Sequence, residues 1–477
     1  MQNTTNKERE ELLNEANSAR WELGLDFHDT VIESIYSNAS QIARKTVTQK
    51  GEKEAYSADL KIDKIVTSRW LGFPLMFLML ATVFWLTVAG ANYPSGLLAS
   101  LLVDYMHPIL KSAAASINMP WWLDGVLIDG AYLSMAWVIA VMLPPMAIFF
   151  PLFTLLEDLG YLPRVAFNMD NLFRKAGAHG KQALSMSMGF GCNAAGVIAT
   201  RVIDSPRERL VAIITNNFSL CNGRWPTQIL IASIFIGGLV PAQLAGVVSA
   251  GAVVGIAVFG IFLSLVVSWG LSKSVLRGEA SAFSLELPPY RPPRIWQTLY
   301  TSLIDRTIFV LWRAIIFAIP AGIVIWLVAN IHIGELSLAE HFIQWSDPFA
   351  IIFGLNGVIL LAYIIAIPAN EIVIPTILML TVLSTKLTGG AGDGVMFELD
   401  SVGDTANILH AGGWTLLTAV NLMLFSLLHN PCSTTIYTIF KETKSWKWTL
   451  VSTFLPIVMG LVICFFTTQI WMLFVVG

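Results

Sequence analysis

Residues Leu71–Gly90 read LGFPLMFLMLATVFWLTVAG, a run without a single charged side chain. A helix needs about 20 apolar residues to cross the hydrocarbon of a bilayer, and this run supplies them. Comparable stretches recur at about Gly130–Leu155, Leu210–Ile236, Val247–Gly270, Ile308–Ala329 and Leu450–Val475. In lipid every backbone N–H and C=O has to be satisfied inside the protein, which leaves helices or closed barrels. Long runs of Leu, Ile, Val and Phe exclude the short alternating strands of a barrel. The chain is 13% charged, against about 25% for a soluble protein. The expected fold class is an all-α polytopic membrane protein with a small N-terminal cytosolic helical arm.

The positions of the charges orient it. Lys61, Lys64 and Arg69 precede the first span, and only Lys111 follows it before residue 163. The positive-inside rule then places the N-terminus in the cytoplasm. Residues 1–66 form the arm: NKEREELLNEANSARWEL and FHDTVIESIYSNASQIARK both have helical periodicity, with a break at Gly24. Residues 91–125 lie outside, with LLASLLVDYMHPILK as an amphipathic surface helix and MPWWLDG at the interface. Residues 272–305 are polar, basic and proline-rich, a cytoplasmic linker. The hydrophilic N-terminus has no basic-then-apolar signal pattern, so the first span directs insertion. A prokaryotic inner membrane is the expected location.

Two apolar segments are broken. SMSMGFGCNAAGVIATR (Ser185–Arg201) contains three glycines, Cys192 and Asn193. Basic residues flank it on both sides: Arg174, Lys175 and Lys181 before, Arg201, Arg207 and Arg209 after. A full crossing would export one of these clusters, whereas a re-entrant hairpin from the cytoplasm keeps both inside. The second is IAIPANEIVIPT (Ile365–Thr376), whose surroundings are poor in basic residues, so it enters from outside. Each half then reads as span, broken hairpin, span with a cysteine at a break (CNGRWP, then NPC), and span. This is an inverted repeat with seven crossings and an outside C-terminus. The segments are 1–66, the arm; 67–271, the first span and first repeat; 272–305, the linker; and 306–477, the second repeat. In such transporters the discontinuous helices meet near the midplane and build the substrate site.

Several motifs occur in series: RWLGFP (Arg69–Pro74), LLEDLGYLPRVAFNMD (Leu155–Asp170), GFGCN (Gly189–Asn193), ATR (Ala199–Arg201), C-x-x-R-x-P (Cys221–Pro226) and PCSTTIYTIFKETKSWKW (Pro431–Trp448). Together they resemble the membrane domain of the ferrous iron transport protein B (FeoB) family, from about residue 60 onward. The resemblance implies two Gate-type repeats, Fe2+ as transported substrate with no permanently bound cofactor, and import across the inner membrane. It also implies a path lined by Cys192, Cys221 and Cys432, with PANEI as the counterpart of GFGCN, setting Asn370 and Glu371 beside Asn193. The family commonly carries an N-terminal GTPase domain, but no G-x-x-x-x-G-K-[ST] phosphate loop occurs in these residues. A separate small GTPase docking on residues 1–66 is therefore expected, or else a GTPase-independent relative. Ala194-Ala195 and Asn370 depart from the family's more frequent residues beside the site.

Other readings compete at single residues. Cys464, in an unbroken span, reads as core packing. Glu371 is a buried carboxylate, hence a ligand or the counter-charge of Arg224 or Arg313. His429 is set aside because Pro431 interrupts the helix between it and Cys432. Glu157 and Asp158 read as helix-end acids, and Glu398, Asp400 and Asp404 as an ordinary acidic loop. The alternatives for the whole chain are a Gate-fold transporter of another divalent metal or a nucleoside, and a non-transporting membrane scaffold or sensor. No Walker, zinc-hydrolase or nucleophile-elbow pattern points to an enzyme. The expected partners are the lipid bilayer and the GTPase; no nucleic acid is expected, and a homo-oligomer is left open.

Overall fold

A computed structural model describes residues 27–46, 61–68, 70–276, 290, 294–386, 394–399 and 401–475. The first periodic stretch of the arm, the break at Gly24, Arg69, Asp400 and most of the linker lie outside the described residues. The second stretch of the arm is helix α1 (Phe27–Thr46), as its periodicity predicts.

The first apolar run does not stop at Gly90. It continues as one helix, α2 (Gly72–Ser116). Nothing between Gly90 and Met106 forces a stop; Pro94 is absorbed inside the helix, and Ser100–Met106 relax into a π-helical stretch. The expected surface helix is thus the outer continuation of the span. At 1.5 Å per residue α2 measures about 65 Å, twice the roughly 30 Å hydrocarbon core. It returns through MPWW into α3 (Trp121–Asp158). His107 meets Asp129 at 2.8 Å, and Lys111 meets Asp124 and Asp129 at 2.7 Å each, tying the two helices beyond the apolar zone.

The rest of the chain runs through α4 (Tyr161–Lys175), the broken pair α5 (Gln182–Gly191) and α6 (Asn193–Ala199), the broken pair α7 (Pro206–Thr215) and α8 (Trp225–Ile231), and α9 (Ala242–Lys273). The second half follows with α10 (Ile295–Asn330), α11 (Leu338–Ile352), the broken pair α12 (Gly357–Ile365) and α13 (Val373–Thr385), α14 (Val402–Ala411), the broken pair α15 (Leu416–Leu428) and α16 (Ser433–Thr443), and α17 (Trp446–Val475). Helix α10 starts well before the span expected at Ile308, so the end of the expected linker is helical.

The first half thus runs long helix, short helix, broken pair, broken pair, long helix, and the second half follows the same order with α14 inserted between its broken pairs. Among the described residues six helical segments are long and apolar enough to cross a membrane: α2, α3, α9, α10, α15 with α16, and α17. Helices α11 and α12, bent by 110°, make a seventh if taken as one span. The segment expected to cross at Leu210–Ile236 is not one helix, because Ser219–Cys221 are extended.

The broken pairs sit innermost. Ile359, Met379, Leu380, Leu422 and Leu427 are fully buried, while α9 and α17 turn Val254, Phe262, Phe454 and Phe466 outward. Apolar side chains all round are what a membrane bundle requires. Helices α3 and α10 approach closely through small residues: a Cβ on Gly322 would run into Ser134 and the Gly130 carbonyl.

A polar joint fastens the end of the arm. Arg164, on α4 and 1% exposed, donates to Asp63 Oδ1 at 2.9 Å and Oδ2 at 3.3 Å, and to Gly160 O at 2.8 Å. Its guanidinium lies 4.1 Å from the Tyr290 ring centroid, and Asn168 donates to Val66 O at 2.8 Å. Arm, linker and LPR motif thus converge on one residue. Burial alone would raise the Asp63 carboxyl, but hydrogen bonds from Arg164 and Tyr290 and the Arg164 charge outweigh it and hold it below 3.8. A depressed carboxylate stabilises above its unfolded value and loses that contribution as pH falls through its folded value. Asp63→Asn should therefore lower stability by about 1–3 kcal/mol at neutral pH. The Tm gap to wild type should persist on acidification and close only below the ordinary value of 3.8.

Candidate functional site

The glycines of GFGCNAAG make room for side chains that satisfy the broken backbone. Cys192, between α5 and α6, is extended at φ −153°, ψ 120°, and its N–H donates to Met188 O at 2.9 Å. A helix break buried in the membrane leaves carbonyls and N–H groups without partners. Asn216 supplies one, donating to Asn193 O at 2.9 Å. Its amide fills the spaces where Cβ atoms on Gly189 and Gly196 would stand. The Asn193 amide faces the carbonyls of Gly189 and Ser219, at 2.9 and 3.3 Å, and satisfies both when its nitrogen is the end turned to them. The Phe149 ring occupies the place of a Gly191 Cβ.

The second half repeats the break. Ala369, the residue before Asn370, is extended at φ −149°, ψ 121°, close to the angles of Cys192. Cys192-Asn193 and Ala369-Asn370 are thus equivalent positions by backbone conformation. Cys221 and Cys432 occupy the other two breaks, and each is the residue from which a short helix starts, at ψ 166° and 158°. Cys192 likewise precedes α6. All three cysteines therefore stand at the N-terminal ends of helical segments.

These breaks meet. Cys192, Asn193, Cys221, Asn370, Glu371 and Cys432 all line one cavity of about 30 Å³, closed further by Met142, Met146, Gly223 and Thr435 among others. Asn370 Nδ2 donates to Cys221 Sγ at 3.6 Å, Cys432 Sγ lies 3.2 Å from Thr435 Oγ1, and the Glu371 carboxylate rests where a Gly223 Cβ would be. Among the described residues no three His, Cys, Asp or Glu side chains converge closely enough to hold a metal ion. The cavity therefore offers its donors from several sides without assembling them into a closed cage. Cys464 lies elsewhere, in the apolar core, with its thiol on Asn421 O at 3.5 Å.

The arginines expected to pair with Glu371 do not. Arg224, 1% exposed, gives its guanidinium to four main-chain oxygens: Asn217 O at 3.4 Å, Leu427 O at 2.9 Å, His429 O at 3.3 Å and Asn430 O at 3.2 Å. It pins the α7–α8 break to the α15–α16 break. Arg313 lies over the Tyr437 ring at 5.9 Å. Among the described residues Glu371 makes no ion pair.

Of three residues that the fold brings in, sequence reasoning missed Asn216, gave Arg224 a different partner and set His429 aside. Asn216 and Arg224 hold the breaks, and His429 contacts Asn370 at 3.0 Å. His429 was legible only as a polar residue near NPC, because its partner lies in another helix. A fourth, Glu442 on α16, is 4% exposed and receives Arg201 at 3.0 Å together with Arg209. Between it and the cavity Val197, Ile213 and Ile439 form a buried apolar layer.

Comparison with known proteins follows these elements. The pattern of the Gate family, described as "Nucleoside recognition", matches residues 139–235 and 311–446, which include all four breaks. That of FeoB_C, described as "Ferrous iron transport protein B C terminus", matches residues 253–305. Together they account for more than half of the chain. This chain belongs to the FeoB family. A Staphylococcus aureus (strain MSSA476) protein named Fe(2+) transporter FeoB is 28% identical over 440 residues, covering 91% of this chain and 62% of its own length. Proteins of the same name from Campylobacter jejuni and Methanocaldococcus jannaschii are each 26% identical, covering 88% and 91% of this chain and 66% and 61% of their own length. This FeoB-family chain thus spans less than two thirds of each of these relatives. No solved structure matches it.

The packing at the break yields a direct test. Gly191→Ala should cost about 1–3 kcal/mol through overpacking against Phe149, read as a lower Tm in detergent. Adding Phe149→Leu should restore most of the loss. A Gly191→Ala protein as stable as wild type would contradict the packing described.

Proposed function

We propose that the chain is the membrane-spanning part of a ferrous iron transporter, and that Cys192, Asn193, Cys221, Asn370, Glu371 and Cys432 handle the ion at mid-path. The observation that carries this reading is the cavity of about 30 Å³ where helix breaks from both halves present three thiols, two amides and a carboxylate. That volume suits one ion or a couple of waters. Pockets for organic ligands are typically on the order of 300 Å³ or more, which speaks against a nucleoside. Sulfur, amide oxygen and carboxylate together suit a borderline divalent metal better than a hard one. Donors that are close but not preassembled also allow release, as conduction requires. The names of the relatives point to the same cargo.

The path is shut on the side of Arg201. Helices α6 and α16, which start at Cys192 and Cys432, seal it with the Val197, Ile213 and Ile439 layer, and the Arg201–Glu442–Arg209 clamp locks their far ends. By the distribution of basic residues this side is cytoplasmic, and import ends by opening there. A separate GTPase acting through residues 1–66 fits the joint at Asp63 and Arg164, the point where the arm meets α4.

Uptake of ferrous iron into reconstituted vesicles under reducing conditions tests the site. Cys192→Ser, Cys221→Ser and Glu371→Gln should each reduce it about tenfold or more, the scale of losses at metal sites. Full uptake by the Cys192→Ser, Glu371→Gln double variant would sink the assignment, and inhibition by nucleosides would favour the other cargo. Adding a GTPase partner tests the coupling. For the clamp, Glu442→Gln should expose Cys432 to membrane-impermeant thiol reagents applied from the Arg201 side, while wild type stays protected.

A further inference from the structure

His429 does not line the cavity but contacts Asn370, which does. Its ring is 1% exposed and packs edge-on to Tyr363, with centroids 4.7 Å apart, and beside Phe425 at 6.4 Å. Arg224 holds its carbonyl at 3.3 Å. The ring therefore has one seat. In it Nδ1 faces Ser426 O at 3.1 Å and Nε2 faces the Asn370 amide at 3.0 Å. On its other side the same amide faces Cys221 Sγ at 3.6 Å. A line of contacts thus runs Ser426, His429, Asn370, Cys221 across both halves of the chain.

A neutral imidazole has one N–H, and an amide has a donor end and an acceptor end. Two arrangements follow. With the proton on Nδ1, His429 donates to Ser426 O, Nε2 accepts from the Asn370 NH2 group, and the amide oxygen turns to Cys221 and accepts its S–H. With the proton on Nε2, the Asn370 oxygen accepts from His429, and its NH2 group donates to the sulfur. The first would satisfy every group around a Cys221 thiol. The structure holds the amide in the second orientation, with its oxygen on Nε2 and its NH2 group on the sulfur, which leaves Nδ1 facing a carbonyl and gains when the sulfur is a strong acceptor.

We propose that His429 is a positioning residue of the transport site: through Asn370 it sets whether the Cys221 sulfur meets a donor or an acceptor, and so tunes how tightly the ion is held. This rests on reading the cavity as a cation site. Partners that orient a metal ligand from behind typically matter by about 10–100-fold in affinity.

The test compares His429→Phe, which keeps a ring and removes both nitrogens, with His429→Gln, whose amide can serve as donor or acceptor. The readouts are KM and maximal rate of ferrous iron uptake, and the thiolate-to-metal absorption of the purified protein titrated with Co2+. His429→Phe should raise KM and weaken Co2+ binding by about tenfold or more, with a smaller effect on maximal rate. His429→Gln should recover most of the loss. If His429 only fills space, the order reverses: His429→Phe keeps KM and the Co2+ band, and His429→Gln is the worse variant, which overturns the proposal. Should His429→Phe not be recovered folded, His429→Met takes its place in the same comparison. Cys221→Ser run in parallel separates the two levels. If it loses the Co2+ band while His429→Phe keeps it, the role of His429 fails and the site stands; if both keep band and uptake, the site itself fails.

Discussion

Backbone polar groups freed inside the membrane must find partners within the protein, and the rest of this structure depends on how that need is met. Four helices are interrupted at the same depth of the bundle. Each interruption releases N–H and C=O groups that water does not reach. Leaving even one such group unsatisfied costs on the order of 1–3 kcal/mol. Asn216 and Asn193 close the first break, and Arg224 takes four carbonyls from two others. The glycines at 189 and 196 are spaces for the Asn216 amide. Breaks that are unaffordable in isolation become stable because they are held against one another.

The same arrangement creates the cavity. A continuous helix covers its own backbone and presents only side chains. A broken one turns N-terminal ends and short polar residues toward a common point. Here three of those ends carry cysteines, so soft sulfur donors and positive helix ends meet in a space the size of an ion. Arg224 sits behind this space and is occupied by carbonyls, which leaves Glu371 without an ionic partner among the described residues. A carboxylate in that position is available to a cation, whereas one paired with arginine is not.

Closure depends on longer-range pairings. The helices that begin at Cys192 and Cys432 come from different halves of the chain and end beside each other at Glu442. Any movement that separates the halves must part the apolar layer and the clamp together. The outer ends of α2 and α3, fastened by His107, Lys111, Asp124 and Asp129, lie well away from this clamp along the chain, and the Asp63–Arg164 joint ties the arm to α4. Rigid connections thus surround the broken helices, and the places where separation is simplest are the breaks.

Much of this was legible in the sequence. Apolar runs of bilayer length dictate helices in lipid, since no alternative satisfies the backbone. GFGCN, IPANE, CNGRWP and NPC mark interruptions through glycine, proline and asparagine, although GANYPSG (Gly90–Gly96), just as rich in them, stays inside α2. The six residues expected at the site came from such breaks together with the family resemblance, and all six line one cavity. The length of α2 was not legible, because Gly90, Asn92 and Pro94, which looked like a boundary, are accommodated inside the helix. The partners of Asn216, Arg224, His429 and Glu442 were not legible either. Each acts on a group in another helix, up to 241 residues away for Glu442 and Arg201, and a polar residue gives no local sign of a distant partner. The sequence by itself determined that the chain is built of membrane-length apolar helices and where several of them break, since those follow from hydropathy and backbone chemistry along a few residues. Only the tertiary structure decided which break faces which, and therefore what holds the cavity together, since that depends on contacts between segments that the chain keeps far apart.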